Sequence, residues 1–318
     1  MPGWRRSRTM ARYGLRLLYG VIVVWGAFTG AFFLLYVVPG DAAGGLTAGA
    51  DGADVKQLLA EQRELLGLDR PVWVQYWDAL TGALQGDFGE SIYQRRPAVE
   101  VYFESFPETL KLAFLGLLLA VVLGVTLSVV IELTNWKWAR ELLISLPPVA
   151  VSLPPFLVGL VLLQVFAFQL HWIKAVNDPS FGGLLIASAA LAVAGGGSIS
   201  QLLTANLRGA LTSPYVETAR NWGLSRFDVV VRHALKNAAL PVITSLGTTV
   251  GVMVGGTVLT ETVFSRLGVG RLVVDAVDGR DMPVVLVAVT ISAVIFVAVN
   301  LVVDAVHPLL DKRIQWDG

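Results

Sequence analysis

The chain contains no cysteine, which excludes disulfides, thiolate metal sites and cysteine nucleophiles. Its three histidines, His171, His233 and His307, are far apart in sequence and offer a poor basis for a metal cluster. Charge is scarce. Asp, Glu, Lys and Arg make up 15% of the 318 residues, where a soluble domain carries about 25%. No G-x-x-x-x-G-K-[ST] run occurs, so ATP is not bound by that route. The cores of the long apolar runs carry no charged side chain. Ion-coupled carriers place charges or broken helices at mid-membrane, so this absence counts against proton or sodium coupling. The same runs lack the paired carboxylates or acid–base groupings of a membrane-embedded enzyme, and no catalytic residue is assigned.

Apolar residue types account for 55% of the chain, with a mean hydropathy of +0.66. Six runs are long enough to cross a bilayer, which takes about 20 residues as a helix. They are Leu17–Val38, Leu110–Ile131, Leu143–Phe168, Leu184–Leu203, Ala239–Thr260 and Pro283–Val303. The first is too long for the apolar core of a signal peptide and is read as a retained helix. Proline pairs Pro147-Pro148 and Pro154-Pro155 leave a kink possible in the third. Basic residues set the orientation. With residues 1–16 inside, the inner segments hold 14 basic and 7 acidic residues and the outer segments 9 basic and 17 acidic. The expected fold is therefore an all-α polytopic membrane protein with six transmembrane helices, both termini cytoplasmic, and an external loop at 39–108. The core is expected at 109–306, with a cytoplasmic loop at 208–238 and a tail at 307–318.

The inner loop Ser213–Pro241 is polar, yet patterned for two short amphipathic helices joined at a glycine. Ser213-Pro214 suits a helix start. Tyr215, Ala219 and Trp222 fall on one stripe, and Gly223 is placed to end that helix in a left-handed conformation. Ser225-Arg-Phe-Asp228 has capping-box spacing, followed by a stripe of Phe227, Val230, Val231, Ala234 and Leu235. Such a segment either lies on the membrane surface or docks a partner protein.

Glu217-Thr-Ala219, with Gly223 four residues on and Leu240-Pro241 after a helical stretch, resembles the EAA loop of bacterial ABC importer permeases. "VVPGD", "LLGLDRPVWVQYWDALTGALQGDFGESI" and "VLTETVFSRLGVGRLVVDAVDGRDMPVV" are similar to the dipeptide/oligopeptide/nickel group of that family. Asn221-Trp222 departs from the small residue and lysine usual before the glycine. The resemblance implies a bacterial inner-membrane, multi-pass permease subunit coupled through Tyr215, Glu217, Ala219, Arg220, Gly223, Leu224, Arg226 and Arg232. It implies two cytoplasmic ATPase subunits holding ATP and Mg, a second permease subunit as related heterodimer partner, and an external substrate-binding protein. Membrane lipid is the remaining partner; this chain binds no cofactor, metal or nucleic acid of its own. The cargo implied is a di- or oligopeptide, with nickel or a metal chelate as the alternative, and an ion-coupled secondary transporter as the contrasting class.

Small residues repeat every fourth position at Gly26 and Gly30, at Gly116, Ala120 and Gly124, and at Gly247, Gly251 and Gly255. Such ridges let helices approach closely within the chain or at a dimer or pore interface. Thr244 and Thr248 beside the last ridge suggest a neutral translocation path or hydroxyls bonded to neighbouring backbone. Glu261 and Asp275 are candidates for an external gate or loop. In the external loop, Val55–Leu66 suggests an amphipathic helix ended by Gly67, and Trp73, Tyr76 and Trp77 suit the membrane interface.

Overall fold

A computed structural model describes residues 3–37 and 70–310; within them, the side chains of 3–13, 36–37, 244, 248, 250, 252, 254 and 303–310 lie outside the description. The expected helix at Val55–Leu66, the segment "VVPGD" beyond Val37, and the tail from Asp311 fall outside the described residues. Among the described residues every extended element is helical, and strand-like pairing is limited to one antiparallel bridge, Glu90–Pro97. The helices are α1 (Gly3–Val37), α2 (Val72–Leu84), α3 (Ala98–Leu133), α4 (Lys137–Ser152), α5 (Pro155–Leu163), α6 (Phe181–Leu211), α7 (Pro214–Asn221), α8 (Arg226–Asp228), α9 (Leu235–Val263), α10 (Val269–Gly279) and α11 (Met282–Leu310). Gly14–Leu35, α3, α6 and Met282–Val302 are long and apolar enough to cross a membrane. The chain divides into two compact units, residues 1–106 with 272–301, and residues 107–271 with 302–318.

In the first unit, Phe28 and Phe32 of α1 are buried with Tyr76 of α2 and Leu286 of α11. Tyr76, expected to be suited to the membrane interface, is instead buried here. Its hydroxyl accepts from Trp25 Nε1 at 3.0 Å and pairs with Thr29 Oγ1 at 2.9 Å, which satisfies the polar tip of a buried ring. Trp73 and Trp77 stay exposed. A Cβ at Gly20 would fall 2.6 Å from Val297, whereas Gly26 and Gly30 have open space around them. Among the described residues that ridge is therefore not a packing seam.

The second unit is organised around α6. Its "AGGGS" stretch lets three neighbours approach at successive residues. Gly195 faces Ala120 and Met253, Gly196 the Ala120 carbonyl, and Gly197 the Pro147 carbonyl, where a Cβ would sit 2.9 Å away. The ridge Gly116, Ala120 and Gly124 on α3 packs against the same helix through Leu191, Gly195, Gly196 and Ile199. Ser128 Oγ donates to the Gly124 carbonyl at 2.8 Å and lies 3.2 Å from Ser200 Oγ. At the start of α6, Asp178 accepts from the amides of Lys174 and Ser180, each at 2.8 Å. Burial opposes its charge, but these amides and the Ser180 hydroxyl more than offset that and hold its carboxyl below the usual carboxylate range.

The third apolar run is not one straight span. It bends by 102° between α4 and α5. Pro155 opens α5 at a position where its missing N–H costs nothing, and it forces Pro154 into extended backbone, with ψ 135°. A π-helical turn, Gln164–Gln169, closes α5, with the Leu170 amide donating to the Val165 carbonyl. The second helix of the inner loop also differs from expectation. It is not a separate short helix: α8 runs through a π-helical turn, Val229–Ala234, directly into α9, because no breaker stands between them.

Candidate functional site

The loop between α6 and α9 is built from strong local signals. Ser213 has the extended backbone of an N-cap (φ −80°, ψ 147°), and Pro214 takes the first helical position. The Ser213 side chain makes no cap bond to α7. At the other end, Gly223 adopts φ +78°. Its amide donates to the Arg220 carbonyl at 2.9 Å, and the Leu224 amide reaches back to Ala219 at 3.4 Å. These two bonds form a Schellman stop, including the usual contact between the residue after the glycine and the last turn. Leu224 packs on the buried set Val216, Ala219 and Val229. Ser225 then caps α8: its hydroxyl accepts from the Asp228 amide at 3.1 Å and donates to Asp228 Oδ2 at 2.6 Å.

The stripe expected to bury Tyr215, Ala219 and Trp222 together is split. Ala219 turns inward beside Val216, while Tyr215 is exposed and Trp222 is 81% exposed. Phe227 likewise leaves its expected stripe and is 56% exposed, although Val229, Val230 and Ala234 are buried. Glu217, Arg220 and Arg232 are also exposed, Arg232 in an outlying ion pair with Asp228. The α7–α8 hairpin thus seals its inner side with small aliphatic groups and presents aromatic and charged groups outward.

An ionic cluster around one buried carboxylate sits beside this hairpin. Glu132, in the last turn of α3, is 3% exposed. Its carboxylate accepts from Arg140 of α4 at 2.8 Å and from Arg208 of α6 at 3.1 Å. Two guanidiniums compensate the desolvation of one carboxylate. Arg226 of α8 donates to the Glu132 backbone carbonyl at 2.7 Å and to Asn135 Oδ1. Sequence reasoning passed over Glu132, Asn135 and Arg140. The available signal was a lone carboxylate placed directly after an apolar run, next to basic residues at the ends of neighbouring helices.

The remaining candidates lie elsewhere. Gly247 is buried, Gly251 half-buried and Gly255 exposed. A Cβ on Gly255 would meet nothing within 4 Å, whereas Gly256 touches Leu191. The side chains of Thr244 and Thr248 lie outside the described residues. Ser198, Ser245, Thr249 and Asn300 bond to carbonyls of their own helices. Glu261 is fully buried. It accepts from Thr109 Oγ1 and the Gly270 amide, each at 2.7 Å, and from the Arg271 amide at 3.3 Å. It thereby caps the first turn of α10, and the close approach excludes a side chain at Gly268, whose Cβ would fall on its carboxylate. Asp275, in the other unit, lines a cleft of about 250 Å³ with Tyr93, Gln94, Ala276 and Asp281.

Comparison with known proteins covers nearly all of the chain. Residues 116–316 match the family described as binding-protein-dependent transport system inner membrane component, and residues 10–113 match the N-terminal family of the same components. The glutathione transport system permease protein GsiC of Salmonella typhimurium strain LT2 is 35% identical over 308 residues, covering 96% of this chain and all of the relative. The protein of the same name from Escherichia coli strain K12 is 32% identical over the same length, with the same coverage of both chains. Among solved structures, the MetNI methionine ABC transporter in an inward-facing conformation superposes with a TM-score of 0.57 at 14% identity, covering 66% of this chain and 96% of that one. An amino acid ABC transporter crystallised with histidines gives 0.51 at 17% identity, covering 66% and 94%; both likenesses concern the fold. The chain therefore belongs to the binding-protein-dependent transport system inner membrane component family and is a multi-pass inner-membrane permease subunit of an ABC importer.

Proposed function

We propose that this subunit carries di- or oligopeptides, small peptides of glutathione's kind, and that the α7–α8 hairpin is where a cytoplasmic ATPase engages it. The observation that carries the cargo is identity of 35% over all of a glutathione permease. Docking rests on the outward face of the hairpin, where Tyr215, Trp222 and Phe227 stand exposed among Glu217, Arg220 and Arg232. Exposed aromatics within a charged rim suit burial in a partner's groove. On this reading the chain and a related second permease enclose one path. An external binding protein delivers peptide, and the hairpin lies on the cytoplasmic side with both termini. ATP binding draws two ATPases together and the hairpins follow.

The test is reconstitution of the chain with its partner permease, ATPases and binding protein in vesicles. Labelled glutathione, dipeptides, longer peptides and Ni²⁺ are offered in parallel. ATP-dependent peptide accumulation is expected. Accumulation of Ni²⁺ without competition by peptide moves the cargo to metal, and uphill uptake by this chain alone on an ion gradient rejects the ATPase-driven reading.

A further inference from the structure

We propose that Arg226 is a positioning residue: the strut that carries displacement of the coupling hairpin to α3 and α4. The inference rests on reading the hairpin as the ATPase-docking element. The chain itself joins the hairpin to two helices. It leaves α6 through Thr212–Ser213 and enters α9 through the π-helical turn at Val229–Ala234. Neither α3 nor α4 has such a covalent link, so the hairpin reaches them either through α6 packed between or directly by side-chain contact.

The hairpin is built to move as one piece. Val216, Ala219 and Val229 are buried together under Leu224, and the turn between α7 and α8 is locked by the Gly223 and Leu224 amides. From this block Arg226 reaches across to the end of α3. Its fork spans two acceptors, the Glu132 carbonyl and Asn135 Oδ1. The carbonyl is one of those a helix leaves without an internal donor in its last turn, and a guanidinium there is favoured by the helix dipole as well. A planar fork on two acceptors transmits direction, where an ammonium on a flexible stem gives only attraction. Through the same residue the force continues. The Glu132 carboxylate holds Arg140 of α4 and Arg208 of α6. One backbone-and-side-chain pair thus gathers the ends of three helices onto the hairpin.

The expected signature is uncoupling. In the reconstituted complete transporter, Arg226→Ala keeps the ATPases bound and hydrolysing but raises ATP consumed per cargo molecule about fivefold, the low end of typical coupling effects. Asn135→Ala, at an exposed site that does not threaten folding, removes one acceptor and gives a smaller rise in the same ratio. Arg226→Lys restores part of it. An unchanged ratio in Arg226→Ala overturns the strut. So does loss of ATPase co-purification, which makes Arg226 a docking residue and leaves the docking reading standing. That reading fails separately if Trp222→Ala with Phe227→Ala leaves ATPase association untouched.

Discussion

The direction of the hairpin turns on Gly223, and the reason is backbone rather than space. Nothing lies within 4 Å of where its Cβ would be, yet φ is +78°. A β-branched residue resists that conformation, at a cost of about 1–3 kcal/mol. Gly223→Val is therefore expected to open the Schellman stop, fray the last turn of α7 and reduce both ATPase co-purification and uptake, while Gly223→Ala falls between. Wild-type association in Gly223→Val rejects the role of the turn. This residue was legible in the sequence because a glycine after an amphipathic turn has few other uses. Glu132 was not legible. Its burial depends on Arg140, 8 positions away, and on Arg208, 76 positions away, and a lone carboxylate after an apolar run does not by itself report that both guanidiniums converge on it.

At the scale of elements, four of the six apolar runs fall on helices long and apolar enough to cross a membrane, the third falls on the bent pair α4 and α5 where proline marked the break, and the fifth lies within α9. Stripe reasoning failed at Tyr215, Trp222 and Phe227 because it assumes that apolar faces turn inward. The outward face proposed above to meet an ATPase violates that assumption, while the smaller Val216, Ala219, Val229 and Val230 turn in. The glycine run of α6 read in the sequence only as a departure from the family pattern, and its packing role was not legible until its neighbours were in place, since three helices use three consecutive residues. That arrangement makes opposite signs testable within one helix. At Gly197 an added methyl meets the Pro147 carbonyl at 2.9 Å, and backbone cannot step aside. Gly197→Ala should cost about 1–3 kcal/mol, as overpacking does. Gly209, exposed in the same helix, has open space, so Gly209→Ala should be neutral or stabilising by up to about 1 kcal/mol through helix propensity. Thermal midpoints in detergent distinguish the two; equal shifts reject the close-packed account of α6.

For the whole molecule, the decisive quantity is which end of a helix faces the cytoplasm. The 31 residues of α6 extend about 46 Å at 1.5 Å per residue, more than the roughly 30 Å hydrocarbon layer. If α6 crosses, Lys174 before it and Asn221 after it lie on opposite sides. The basic bias of residues 204–238 assigns Asn221 to the inside. Because the chain contains no cysteine, the native sequence is already the background for single-cysteine labelling. Both positions are exposed. A membrane-impermeant maleimide should label Lys174→Cys in right-side-out vesicles and Asn221→Cys only in inverted ones, with bound ATPase protecting the latter. Labelling of both from one side removes α6 as a span. Reversed sidedness would leave the helices intact but put the hairpin beyond the reach of any cytoplasmic ATPase, so the proposed coupling depends on this outcome before any measurement of transport.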